Sequence, residues 1–247
     1  MPQWCPATVV EKRVWTDGLF TLTISTDAVQ PFEPGQFLHL ALGDDDHRVN
    51  RPYSVASPHG KELDFFIVRV DDGELTPRLW KLEKGDSVDV SQRAAGSFTL
   101  KKTPEAEILW LISTGTGLAP YIAMLRDSTA WEKFSKIVVV HGVRHAADLC
   151  YTEEMKEWAD KSDGKFKLVQ SLTREEQAGT LKGRIPQLLE GGALEETVGL
   201  EMKKDNSSVL LCGNPAMLDE MESKLGERDM KKHRSKSPGQ IVLERYW

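Results

Sequence analysis

Arg51-Pro52-Tyr53-Ser54 puts a cation, a ring and a hydroxyl within four residues. In an extended segment alternate side chains take opposite sides, so Arg51 and Tyr53 share one face while Ser54 takes the other. Arginine can pair with a pyrophosphate, tyrosine can stack on a flat heterocycle, and serine can donate to a ring nitrogen. An ordinary strand with one aromatic residue has the same pattern, so the stretch needs support from elsewhere.

Residues 108–120 carry a different chemistry. Ile108, Leu109, Trp110, Leu111 and Ile112 form a continuous apolar run, as in a strand buried on both faces of a parallel sheet. Ser113-Thr114-Gly115-Thr116-Gly117 is small and polar, and Pro120 opens an apolar segment that reads as a helix with proline in its first turn. Strand, glycine turn and helix together let bare backbone approach a nucleotide while helix N–H groups face its phosphates. The spacing is Gly-Thr-Gly-Leu-Ala-Pro rather than G-x-G-x-x-G, which leaves a plain tight turn as the alternative. The construction recurs at residues 209–215. There Gly213 allows close approach, Asn214 can cap and Pro215 suits the first helical position. Cys212 has no histidine nearby in sequence to activate it and reads as a small buried hydrophobe.

Arginines close the set. Arg144 follows the apolar run 138–143, Arg174 follows residues 169–173, and Arg184 lies shortly beyond. Ligands of a parallel sheet sit outside the carboxyl ends of its strands, so these guanidiniums can converge on one crevice. An arginine beside an adenosine ribose accommodates a 2′-phosphate, where an NAD site would place Asp or Glu.

The elements that must position these residues fall into two regions. Residues 7–14, 19–26, 36–42, 63–70, 86–91 and 97–100 read as short strands, an antiparallel barrel or sandwich. Within them residues 73–84 look helical from the spacing of Leu75, Leu79 and Leu82. Residues 101–105 form a plausible linker. After it, strands (108–112, 137–141, 166–172, 209–212) alternate with helices (121–127, 147–159, 186–190, 216–225), an order that argues for a parallel sheet covered by helices. The expected domains are residues 1–101 and 102–247.

Composition excludes several classes. A formal charge of −6 gives no reason to expect a nucleic-acid partner. No apolar run approaches the length of a membrane helix, and the first fifteen residues lack the features of a signal peptide. Three widely spaced cysteines fit a reducing compartment, the cytoplasm, and are too few for a four-thiolate iron–sulfur cluster.

Arg51-Pro52-Tyr53-Ser54, the Gly115–Pro120 turn, the late Cys212-Gly213-Asn214-Pro215 and a chain-terminal aromatic, in this order, resemble the ferredoxin–NADP reductase family, in particular its compact bacterial ferredoxin/flavodoxin type. Ser57 completes that family's R-x-Y-S-x-x-S pattern. The resemblance covers essentially the whole chain and implies an FAD-binding β barrel followed by an NADP-binding α/β domain. It implies that Arg51, in its motif with Pro52, contacts the FAD pyrophosphate, that Tyr53 flanks the isoalloxazine and that Ser54 bonds near its N5. Phe66, Ile67 and Val68 would line the flavin, and Gly73, Leu75 and Thr76 would form the turn under the pyrophosphate. Thr116 would sit at the nicotinamide–flavin contact, with Gly115, Gly213, Asn214 and Pro215 around the NADP, and Arg144, Arg174 and Arg184 would hold its 2′-phosphate. In such relatives the terminal tail covers the FAD, Tyr246 over the isoalloxazine and Trp247 on the adenine. Plant-type relatives carry a proton-delivering glutamate two residues before a terminal tyrosine, the spacing of Glu244 to Tyr246.

The implied activity is electron exchange between NADPH and ferredoxin or flavodoxin. Alternatives are an NAD(P)H:flavin reductase, an oxygenase reductase component, or a non-catalytic electron-transfer subunit. Lys231, Lys232, His233, Arg234 and Lys236 make a basic cluster that could steer an acidic partner or simply be a solvated face.

Overall fold

The computed structural model describes residues 3–44 and 46–245, and the expectations for Tyr246 and Trp247 lie outside them. The chain divides into two compact units. One runs through Leu100 and includes Ala119–Ser128; the other holds Lys101–Leu118 and the chain from Thr129 onward.

The first unit is a six-stranded antiparallel sheet of β1 (Trp4–Thr16), β2 (Leu19–Ser25), β3 (Phe37–Leu42), β4 (Val49–Ser54), β5 (Glu62–Val68) and β6 (Ser87–Ser91), in the order β4-β3-β6-β1-β2-β5. Its core follows from two-residue alternation. Phe20, Leu22 and Ile24 of β2 stand opposite Ile67, Phe65 and Leu63 of β5, all essentially inaccessible. The chain just after β4 then crosses to β5: Val55 bridges Phe65, and the Ala56 N–H donates to the Asp64 carbonyl at 2.8 Å. The two outer strands thereby meet, and the sheet closes into a barrel with no free edge at that seam.

Two expected elements differ here. Only Thr76–Trp80 is helical (α1), although Leu75, Leu79 and Leu82 all reach the barrel core. Residues before it are held in a turn, with the Gly73 N–H donating to the Val70 carbonyl at 2.9 Å and the Val70 N–H donating to Thr76 Oγ1 at 2.9 Å. Residues 97–100 form no strand. Their apolar side chains are buried, but the backbone pairing with β3 is taken by Ala95, and the chain passes into a 3₁₀ turn at Leu100–Lys102.

Also in this unit is α2 (Ala119–Arg126). Arg126 Nη1 donates to Asp64 Oδ2 at 2.7 Å and to the Ala56 carbonyl at 3.0 Å. Asp64 accepts from Thr23 Oγ1, and its own N–H donates to Ser57 Oγ. Helix and barrel seam are thus tied by one mostly covered carboxylate. Asp64→Ala, which removes the carboxylate from the guanidinium, is expected to cost about 2 kcal/mol in chemical denaturation, and Asp64→Asn less, because it keeps the acceptor for Thr23. Equal losses would show that the acceptor for Thr23 contributes nothing and that the effect is the lost charge.

The second unit is a six-stranded parallel sheet of β7 (Ile108–Thr114), β8 (Lys136–Val143), β9 (Phe166–Leu172), β10 (Leu181–Lys182), β11 (Ser207–Gly213) and β12 (Ile241–Arg245), in the order β10-β9-β8-β7-β11-β12. Helices α3 (Thr129–Lys133), α4 (Thr152–Lys161), α5 (Ile185–Glu190), α6 (Ala193–Val198) and α7 (Pro215–Gly226) complete it. Residues 108, 110, 112, 138, 140, 169, 209 and 211 pack against α5, α6 and α7; the alternate strand residues are buried on the opposite face. The expected helix 147–159 is instead a 3₁₀ turn (Ala146–Asp148) followed by α4, separated by Tyr151 at φ +59°, where the chain turns left-handed. Strand β12, paired with β11 over Ile241–Arg245, was not expected.

Candidate functional site

In the first unit the candidate residues gather around the barrel seam. Pro52, which has no N–H to donate, sits in an outer strand of the sheet order, as proline in strands does. Arg51 is exposed; its Nη1 donates to the Asn50 carbonyl at 2.7 Å and its Nη2 reaches Glu74 at 3.1 Å. That contact brings β4 beside the Gly73–Thr76 turn, joining residues 23 apart in sequence. The Tyr53 ring packs on the barrel core, and burial pushes its phenol up to about 12, the Arg51 charge pulling the other way. Tyr53 therefore offers a neutral ring and a hydroxyl. Ser54 is buried at the end of β4. On β5, Ile67 points into the core cluster and Phe66 is also buried, while Val68 is 36% exposed. Leu75 belongs to the core, so what residues 73–76 present outward is Glu74, Thr76 and backbone.

In the second unit the sheet order decides where a ligand can bind. Connections from β7 run one way through β8 and β9 and the other way to β11, so the reversal point lies between the carboxyl ends of β7 and β11. Gly115-Thr116-Gly117 follows one and Gly213-Asn214-Pro215 the other. The two turns touch. A Cβ on Gly117 would lie 2.6 Å from the Cys212 carbonyl oxygen, and one on Gly213, whose φ is +127°, would lie 2.8 Å from that of Thr114. Only glycine fits such an approach. The Asn214 N–H donates to Thr114 Oγ1 at 2.9 Å, and Asn214 Oδ1 caps α7 by accepting from the Ala216 and Met217 N–H groups, with Pro215 in the first turn. Thr116 is nearly covered, at 9% exposure, whereas the space on the Cβ side of Gly115 is open.

The arginines leave adjoining strands. The Arg174 N–H donates to the Arg144 carbonyl at 3.0 Å, and the Gly183 N–H donates to the Leu172 carbonyl at 2.9 Å, which starts Arg184 beside the end of β9. All three are exposed, and none has a carboxylate partner among the described residues. Glu175, next to Arg174, instead accepts from the Ala146 N–H and faces His145. Unneutralised guanidiniums at a strand-end crevice are the donor set that a phosphate takes. Glu244 lies on β12 opposite Cys212, and its neighbour Arg245 pairs with Asp219 of α7.

Sequence reasoning assigned no role to Thr114, Arg126, Asp64 or His141. The signal for the last was available, a histidine ending the valine run of β8. It is wholly buried, with Nε2 3.0 Å from the Gly115 carbonyl oxygen. Burial pushes its pKa down to about 4; the bond to Gly115 and the charge of Asp148 act in the opposite direction. Between pH 6.5 and 4 the unfolded chain takes up a proton that the folded protein refuses. This contribution is therefore complete above pH 6.5 and is lost on acidification, by about 3 kcal/mol. Urea midpoints measured from pH 7 to 4.5 should fall more steeply in the wild type than in His141→Gln; parallel profiles would refute the assignment.

A family model described as an oxidoreductase NAD-binding domain matches residues 111–223. The flavodoxin/ferredoxin–NADP reductase of Escherichia coli (strain K12) is 44% identical over 249 residues, covering 100% of both chains. The ferredoxin–NADP reductase of Azotobacter vinelandii is 34% identical and covers 96% of this chain and 95% of its own. Among solved structures, that of a ferredoxin NADP+ reductase from Neisseria gonorrhoeae with bound FAD and NADP superposes with a TM-score of 0.93 at 25% identity, covering 100% of both. Similarity that runs end to end through both units, and not merely through the parallel sheet, leads to one assignment: the chain belongs to the flavodoxin/ferredoxin–NADP reductase family.

Proposed function

We infer that this protein is an FAD-dependent reductase that exchanges electrons between NADPH and a small one-electron carrier, ferredoxin or flavodoxin. The observation that carries the NADPH half is the group of three exposed arginines, free of carboxylate partners among the described residues, at the carboxyl edge of the parallel sheet. The residues of the barrel seam suit FAD by their chemistry: a solvent-facing cation beside a backbone turn for a pyrophosphate, and a neutral phenol ring for a flat heterocycle. When bound, FAD supplies the conversion between the two electrons of a nicotinamide hydride and the single electrons of a carrier protein.

In this reading Arg51 and the backbone of residues 73–76 hold the FAD pyrophosphate, Tyr53 stacks on the ring system, and Ser54 donates to its reactive nitrogen. Phe66 and Val68 border the flavin, with Ile67 fixing their strand from inside the core. Gly115, Thr116, Gly213, Asn214 and Pro215 receive the nicotinamide and diphosphate, and the close approach of their two turns leaves no side chain in the way. Arg144, Arg174 and Arg184 take the 2′-phosphate. Glu244 serves proton delivery, and Tyr246 and Trp247 form an aromatic cover over the FAD. The basic cluster from Lys231 to Lys236 is a docking face for an acidic carrier, which it would attract over the range of the Debye length.

The test is direct. Purified protein is expected to be yellow and to reduce ferredoxin or flavodoxin with NADPH in strong preference to NADH. Protein without flavin would overturn the whole reading, and a preference for NADH would overturn the arginine assignment.

A further inference from the structure

His141 ends the apolar part of β8, and its ring is completely enclosed. A carbonyl oxygen only accepts, so the 3.0 Å contact with Gly115 requires the proton to be on Nε2. In the neutral ring Nδ1 is then a bare acceptor, and it is buried without a partner among the described residues. An enclosed polar ring with one unsatisfied nitrogen is an expensive way to fill space. What it accomplishes is visible at the other end of the bond. Gly115 has φ +53° and nothing near its Cβ position, so no side chain fixes the orientation of the peptide that follows it. Its carbonyl is directed by the imidazole. The peptide is planar and trans, so the Thr116 N–H points the opposite way, away from His141. This is the start of a helical run, where N–H groups lack helical partners.

We propose that His141 is a positioning residue for the NADPH reaction: its Nε2–H holds the Gly115 carbonyl and thereby orients the Thr116 N–H toward the carboxamide end of the incoming dinucleotide. The role rests on the NADPH reading above. In this role the buried His141 ring acts through its bond to the turn. Because the arginines grip the far end of the dinucleotide, loosening the turn should slow hydride transfer and leave the grip intact.

The experiment uses the FAD-loaded full chain, with His141→Leu, His141→Gln and, as a short amide that fails to span the gap, His141→Asn. In stopped flow, flavin bleaching by NADPH is expected to slow at least ~10-fold in the Leu and Asn variants. Gln, which can place an N–H near the position of Nε2, should recover most of the rate. Binding of 2′-phospho-AMP should be unchanged in all three. Amide exchange in residues 115–118, read by mass spectrometry without NADPH, should accelerate in Leu and Asn but not in Gln. Unaltered bleaching in Leu and Asn, or equal losses in all three variants, or a parallel loss of 2′-phospho-AMP binding, would reduce His141 to packing. If the Leu variant does not fold, the Gln and Asn pair decides the same question. A wild type that NADPH fails to bleach would overturn the NADPH reading and this role together. Normal wild-type bleaching with insensitive variants would overturn only the role.

Discussion

Replacing Arg144 and Arg174 together by alanine is expected to lower kcat/KM for NADPH by about 100-fold and to leave turnover with NADH nearly unchanged. Each guanidinium that bonds a phosphate contributes about 1.5–3 kcal/mol, and two such contacts at the lower end correspond to two powers of ten. NADH lacks the 2′-phosphate and has nothing to lose. Both arginines are exposed and have no carboxylate partner among the described residues, so removing them strands no buried carboxylate there, and folding should be untouched. Arg144→Ala alone should give about a tenfold rise in KM for NADPH at constant kcat, since the contact is equally present in ground and transition states. Ferricyanide-coupled kinetics with both coenzymes measures this. Equal losses with NADPH and NADH would eliminate the 2′-phosphate contact.

Gly213→Ala is expected to damage both folding and the reaction. The backbone there has φ +127°, which strains any side chain, and the added carbon would meet the Thr114 backbone at 2.8–2.9 Å. Thr114 cannot retreat without breaking the bond it accepts from the Asn214 N–H. Strain and collision together should cost about 4 kcal/mol of stability and, in whatever protein folds, abolish NADPH-dependent flavin bleaching. Gly85→Ala separates the two causes. Its φ is +97° but nothing lies within 4 Å of the new carbon, so about 1 kcal/mol is expected and catalysis should be normal. Similar denaturation midpoints for the two variants would show that the contact between the turns is unimportant.

Local grammar was readable in advance where a residue's conformation depends on its sequence neighbours. Asn214 caps and Pro215 follows because a free N–H at a helix start wants a side-chain acceptor and tolerates proline. The apolar runs at residues 108–112 and 209–212 became strands buried on both faces for the same reason that they were continuous. Where burial and pairing part company, the local pattern misleads. Phe98 and Leu100 are apolar and covered but lie outside any strand, and the Leu75, Leu79 and Leu82 spacing marks one buried face although only Thr76–Trp80 is helical.

By itself the amino-acid order determined a barrel-type region followed by a parallel α/β region, the two glycine turns and the arginines at strand ends. These are statements about periodicity and residue type, carried by contacts a few positions apart. The closing of the barrel at Val55 and Phe65, the place of β7 beside β11, the Arg126–Asp64 tie and the His141–Gly115 bond appear only in three dimensions. Each joins segments ten or more residues apart, and alternation says which face a side chain takes without saying what it will meet. The opening motif at Arg51 illustrates the division. Its cation, ring and hydroxyl were legible at once, but only the fold set the cation beside the Gly73–Thr76 turn, because that neighbour was chosen by strand order and barrel closure.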